Sequence, residues 1–140
     1  MSYGEVLSTL YIELTSFYKR RIDLRDASFQ QMIALIVIPI DGIEMSGISE
    51  KLGIDNSTAT RLVDRLISKN WVVRRKLQSD KRIIMVELTG EGKKMQILYE
   101  NEFNKAGEII RKMIGHSDRQ KLIEAIFQLN WTLLKNNSIK

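Results

Sequence analysis

Between residues 4 and 21 the apolar positions Leu7, Leu10, Tyr11, Leu14, Phe17 and Tyr18 recur at helical spacing. So wide a stripe predicts a first helix that packs against something sizeable. Ser28, with Gln31 three residues on, has the spacing of a capping box. Met32, Ile33, Leu35 and Ile36 continue a second helix, which must stop before Pro39. Asp41-Gly42 is a turn signal, and Ile43-Glu44-Met45 suits one short strand. Ser46 predicts the cap of a third helix over 47–52, closed by Gly53 in the left-handed conformation. After a tight turn, Asn56 or Ser57 is the expected cap of a fourth helix. Its buried face is Ala59, Leu62, Val63, Leu66 and Ile67, and Asn70 ends it. Residues 71–77 and 83–88 are rich in β-branched and aromatic side chains and read as strands. The connection between them has no glycine and is too long for a two-residue hairpin turn. Thr89 caps a long fifth helix in which Met95, Leu98, Tyr99, Phe103, Ala106, Ile110 and Met113 recur to about residue 114, where Gly115 breaks it. Ser117 to Gln120 reads as another capping box. The last helix is expected to bury Leu122, Ile126, Leu129 and Leu133, with Trp131 on a flank.

The predicted fold is mainly α with a small β-hairpin wing, in the order helix, helix, strand, helix, helix, strand, wing, strand, helix, helix. Residues 28–89 form the compact centre. Residues 1–27 and 90–140 are a helical region, intertwined with it as one unit. The terminal helices carry more apolar surface than a small centre can cover, so they are expected to pair between two copies of the chain. Folding back within one chain is the alternative.

Composition narrows the function. A chain of 140 residues with 44% hydrophobic and 28% charged residues is an ordinary globular protein. No apolar run approaches the ~20 residues of a membrane span, and residues 1–5 do not open a secretory signal, so the expected compartment is the cytoplasm. There is no cysteine and one histidine, His116, which excludes thiol redox sensing and cysteine or clustered-histidine metal sites. With no phosphate-cradling glycine loop and no G-x-S-x-G either, neither an enzyme nor a cofactor is expected. His116 follows a helix-ending glycine and suits a helix-terminal charge role.

The charge is unevenly placed. Residues 51–82 hold nine cations and three anions, a local +6, whereas the whole chain carries +5. A near-neutral body with one basic lobe points to a polyanionic partner. The fourth helix turns Ser57, Thr58, Thr60, Arg61 and Arg65 away from its oily face. Hydroxyls near a helix N-terminus and arginines that fork onto guanine suit the major groove of double-stranded DNA. Read blandly, Thr58 and Thr60 keep a helix start soluble, and Arg65 pairs with Asp64 or Glu87. The strands form a ribbon with a cationic tip. Arg74, Lys76 and Lys81 are phosphate candidates. Asp80 would be repelled by DNA and is expected to hold the wing backbone, or Arg82, in register.

The run from Ser46 to Asn70, then Val73-Arg74-Arg75, Asp80-Lys81-Arg82 and Leu88-Thr89-Gly90-Glu91-Gly92, resembles the MarR family of winged helix-turn-helix transcriptional regulators. Ser28 with Gln31 and Leu35 also matches. The motifs cover about residues 28–95. The chain departs from the family at Asn70, where glycine is usual, at Gln78-Ser79, where a proline is common before the wing aspartate, and at Pro39. The resemblance implies that Arg82 enters the minor groove, and that a homodimer places two such lobes on a pseudo-palindromic operator. It also implies a small aromatic or phenolic effector in a crevice that Tyr11, Tyr18, Met32, Ile36 and His116 are available to line. Two alternatives stay open: a winged helix that binds protein, and one that binds DNA without reading its sequence.

Overall fold

The computed structural model describes residues 1–137; residues 138–140, the tail of the expected 90–140 region, lie outside the described residues. The elements are α1 (Tyr3–Arg21), α2 (Phe29–Ile36), β1 (Ile43–Glu44), α3 (Met45–Leu52), α4 (Asn56–Ser68), β2 (Val72–Lys76), β3 (Ile84–Leu88), α5 (Gly90–Met113) and α6 (Arg119–Asn136), with a 3-10 turn at His116–Asp118. Order and type match the sequence pattern. The three strands form one antiparallel sheet in the order β1-β3-β2, with Val72 opposite Leu88 and Lys76 opposite Ile84. By internal packing the chain divides into two compact units, Met1–Asn104 and a second from Lys105 onward.

The first unit is built around α2, α3 and α4. Met32, Leu35, Ile38, Ile48, Ala59, Val63, Leu66, Val72, Val86 and Tyr99 form its dry centre. Met32 is wholly buried there, so it is packing and not the lining of a crevice. α1 and the first half of α5 join this unit through aromatic contacts. Tyr18 meets Phe103 edge-on at 4.8 Å, and Tyr99 meets Trp71 edge-on at 6.1 Å. The Tyr99 hydroxyl donates to the Leu24 carbonyl at 2.7 Å, and burial pushes its pKa up to about 12.

Helix ends follow local chemistry, with three departures from expectation. Ser28 and Gln31 form the predicted capping box, and Ser2 forms a second one with Glu5. α3 instead begins at Met45 behind Glu44, without a side-chain cap, because the chain runs straight from β1 into the helix. Asp55, not Asn56 or Ser57, caps α4, its carboxylate accepting from the Thr58 amide at 2.7 Å. α6 has no capping box. It continues out of the 3-10 turn, which leaves Asp118 in a helical conformation unfit to cap.

Gly53 and Asn70 both adopt the left-handed conformation, at φ 65° and 63°. The C-terminus of α2, cut short ahead of Pro39, is closed from outside. The Gln96 amide on α5 donates to the Leu35 carbonyl at 3.0 Å and the Ile38 carbonyl at 2.8 Å.

The second unit corrects one expectation. α6 buries none of its residues, and Leu122, Ile126 and Leu133 are exposed while Leu129 is half-buried. An amphipathic helix buries its stripe only where a facing surface exists. Among the described residues no helix is long and apolar enough to cross a membrane.

Candidate nucleic-acid interface

The site is a helix, a ribbon and the junction that joins them. Amphipathic spacing turns α4 so that Ala59, Val63 and Leu66 are buried. This leaves Ser57, Arg61, Asp64 and Arg65 exposed and Thr58 and Thr60 half-buried. The outward hydroxyls are not equivalent. Ser57 donates to the Asp55 cap at 2.8 Å, and Thr60 donates back to the Asn56 carbonyl at 2.8 Å. Their single protons are committed, so both can only accept from a partner. The Thr58 hydroxyl bonds the Asp55 carboxylate and accepts from the Arg61 guanidinium at 3.3 Å. Hydrogen bonds, first that of the Thr58 amide and then that of the Ser57 hydroxyl, hold the Asp55 carboxyl down at a pKa of about 2.

Asn56, the first residue of α4, lies at this site although no sequence signal separates it from its neighbours. Ser49 is buried, and its hydroxyl lies 2.8 Å from the Ser46 carbonyl and 2.7 Å from the Asn56 side-chain oxygen. One hydroxyl proton cannot serve both acceptors. Turning the Asn56 amide over resolves the conflict: its nitrogen donates to Ser49, which donates to Ser46. Asn56 is thereby held by the buried side of the helix-turn-helix, while Asp55, the residue with the extended backbone ahead of α4, does the capping.

The wing is the ribbon β2–β3 with its tip at 77–83. Across the tip the Leu77 amide donates to the Ile83 carbonyl at 2.9 Å, and the Ile83 amide to the Asp80 carbonyl at 3.0 Å. The Asp80 carboxylate grips Arg82 three ways, each at 3.1 Å: through the backbone amide, Nε and Nη2. Those bonds, the side-chain one foremost, hold the Asp80 pKa below the usual carboxylate range. The Arg82 side chain is nonetheless 91% exposed. Lys76 and Lys81 are exposed as well.

Arg74 differs from the expected phosphate contact in being paired, with Asp64 of α4 at 2.7 Å. Arg75 pairs with Glu87 across the ribbon. Both carboxylates weighed as partners for Arg65 therefore belong to other arginines. A cleft of about 380 Å³ brings Ser46 at the start of α3, Asn56 at the start of α4, and Arg82 and Ile84 of the wing to one place.

The junction behind the wing accounts for the Leu88-Thr89-x-x-Gly92 run. The Thr89 hydroxyl caps α5 by accepting from the Gly92 amide at 3.0 Å, and donates to the Asn70 carbonyl at 2.7 Å. The Thr89 amide donates to the Trp71 carbonyl at 2.9 Å. The start of α5 is thus bonded to the end of α4.

Residues 40–84 match the MarR family model. The HTH-type transcriptional regulator YfiV of Bacillus subtilis is 31% identical over 110 residues, which span 77% of this chain and 68% of that protein. The chain belongs to the MarR family. It is a winged helix-turn-helix, DNA-binding regulator of transcription. The organic hydroperoxide resistance transcriptional regulator of Bacillus subtilis is 26% identical over 128 residues, covering 89% of this chain and 84% of that protein. The same fold is seen in FabT of Streptococcus pneumoniae, solved in complex with DNA, at TM-score 0.76 and 20% identity over 96% of this chain and 99% of that one.

Proposed function

We propose that this MarR-family protein is a sequence-specific repressor that binds a pseudo-palindromic operator as a homodimer in the cytoplasm. The observation that carries the reading is the convergence of Asn56, at the head of the helix bearing Arg61 and Arg65, with the Asp80-held Arg82 at one cleft. In this reading Ser57, Thr58, Thr60, Arg61 and Arg65 address the major groove. Arg82 enters a narrow minor groove, and Lys76 and Lys81 lie along phosphates. FabT, which is solved on DNA, shares the fold and supports the assignment.

Dimerisation is supported by exposed apolar side chains on the outer helices. Tyr3, Leu10, Tyr11 and Ile12 are exposed on α1; Ile123, Phe127, Trp131 and Leu134 are exposed on α6. On each helix by itself, exposed apolar side chains of that number call for a covering partner. Residues 28–89 are then the DNA-binding lobe, and 1–27 with 90–140 the dimerisation region. The reading assigns the site to DNA recognition, not to catalysis. We extend the proposal to release by a small aromatic effector, which the family resemblance implies. Thiol oxidation is excluded because the chain has no cysteine, so any hydroperoxide response of this protein would run through other chemistry.

Anisotropy titration of the chain's own upstream duplex against a scrambled duplex, across a range of salt, tests the reading. Binding of the upstream duplex 10³-fold or more tighter than the scrambled one is expected, within the usual range for specific sites. Equal affinity for both duplexes would reduce the protein to a sequence-blind binder, and no binding to either would favour a protein-interaction module.

A further inference from the structure

The Asp64–Arg74 pair joins the recognition helix to the wing, whereas the neighbouring pairs, Arg75 with Glu87 and Arg82 with Asp80, lie within the hairpin. Strand alternation explains the choice of partners. Val72 and Arg74 share one face of β2; Val72 is buried, and Arg74 reaches Asp64 of α4. Val73 and Arg75 share the opposite face, where Val73 stands opposite Glu87 and Arg75 bonds it diagonally.

We propose that Arg74 is a positioning residue and not a phosphate ligand: with Asp64 it forms a strut that sets the angle between the helix and the wing tip. The inference rests on the DNA-binding reading above. The physical reason is leverage. From Arg74 to the tip near Ser79 the ribbon extends roughly 16 Å at about 3.3 Å per residue. A rotation of ~10° at its base would therefore move the wing tip by about 3 Å and carry Arg82 with it by about 2 Å, well outside the tolerance of about 0.5 Å that a preorganised site needs. The hairpin's own bonds resist bending within the ribbon, and β1 holds its β3 edge through Ile43 opposite Val86; the Asp64–Arg74 pair is the ion pair that ties its β2 edge to α4. An exposed ion pair adds little to folding stability, so its value here lies in geometry.

The chain has no cysteine, so Ser68→Cys and Ser79→Cys allow two nitroxide labels, one on α4 and one at the wing tip. Pulsed electron resonance should give a narrow distance distribution that broadens in Asp64→Asn and in Arg74→Gln. An unchanged distribution overturns the strut. On the operator, both variants should lose about tenfold in affinity at unchanged salt slope, with the double variant no worse than either single one. Arg74 is a phosphate ligand, and the inference is wrong, if Arg74→Gln lowers the slope by about one while Asp64→Asn tightens binding. Should the parent protein show no preference among duplexes, the DNA reading falls while the label distances still decide the strut.

Discussion

Gly92 lies against the Trp71 backbone so closely that a Cβ there would overlap the Trp71 carbonyl oxygen and sit 2.8 Å from its carbonyl carbon. That carbonyl also accepts the Thr89 amide at 2.9 Å, so neither partner is free to move aside. The contact is what lets α5 start directly behind the recognition helix.

Gly92→Ala should therefore cost about 3 kcal/mol, the upper end of the usual ~1–3 kcal/mol for overpacking. Urea denaturation would register this as a lower midpoint with the slope unchanged. A midpoint equal to that of the parent would mean that the junction relaxes freely and that the glycine serves some other purpose.

Asp55 makes the recognition helix sensitive to acid. Its pKa is lowered from 3.8 to about 2, first by the Thr58 amide. A depressed carboxylate stabilises the fold above its unfolded pKa and loses that contribution as pH falls through the folded one. The loss should appear between about pH 4 and pH 2. Asp55→Ala should lower the Tm by a few degrees at neutral pH and flatten the acid limb in that window. Asp55→Asn, which keeps a capping oxygen, should retain most of the neutral Tm while also removing the acid dependence. An acid limb that survives in both variants would assign it to other carboxylates.

Arg82 and Asp80 make opposite charge changes with one expected result. Arg82→Ala should weaken operator binding and lower the salt slope by about one, with stability unchanged within about 0.5 kcal/mol as for an exposed side chain. Asp80→Ala removes a negative charge from a DNA-facing tip, which by simple electrostatics strengthens binding. If Asp80 serves to hold Arg82, affinity falls instead. Tighter binding by Asp80→Ala, measured on the same operator, would show that the carboxylate does not position the arginine.

Phe127 is 71% exposed on α6. In the proposed homodimer it becomes interfacial, and Phe127→Glu should shift the sedimentation coefficient from that of a dimer towards that of a 16.2 kDa monomer. Operator binding should fall with it, since two lobes on one duplex gain from being linked. Unchanged sedimentation would place the dimer contact elsewhere.

The alternation of oily and polar positions determined every helix, the hairpin and the buried face of α4. Asn70 and Gly53 marked their helix ends correctly as well. These features depend on residues within a few positions of one another, so a linear pattern carries them. The tertiary structure decided which polar groups meet across elements. Arg74 read as one more exposed cation until Asp64 of another element faced it. Asn56 read as one of two candidate caps, but it is the first residue inside α4 and bonds buried Ser49, and Asp55 does the capping. Met32 and the α6 stripe show the same limit in the apolar residues, since both lie on amphipathic helices but only Met32 has a surface to bury against. Periodicity states which side of an element must be covered; what covers it depends on where the rest of the chain is placed.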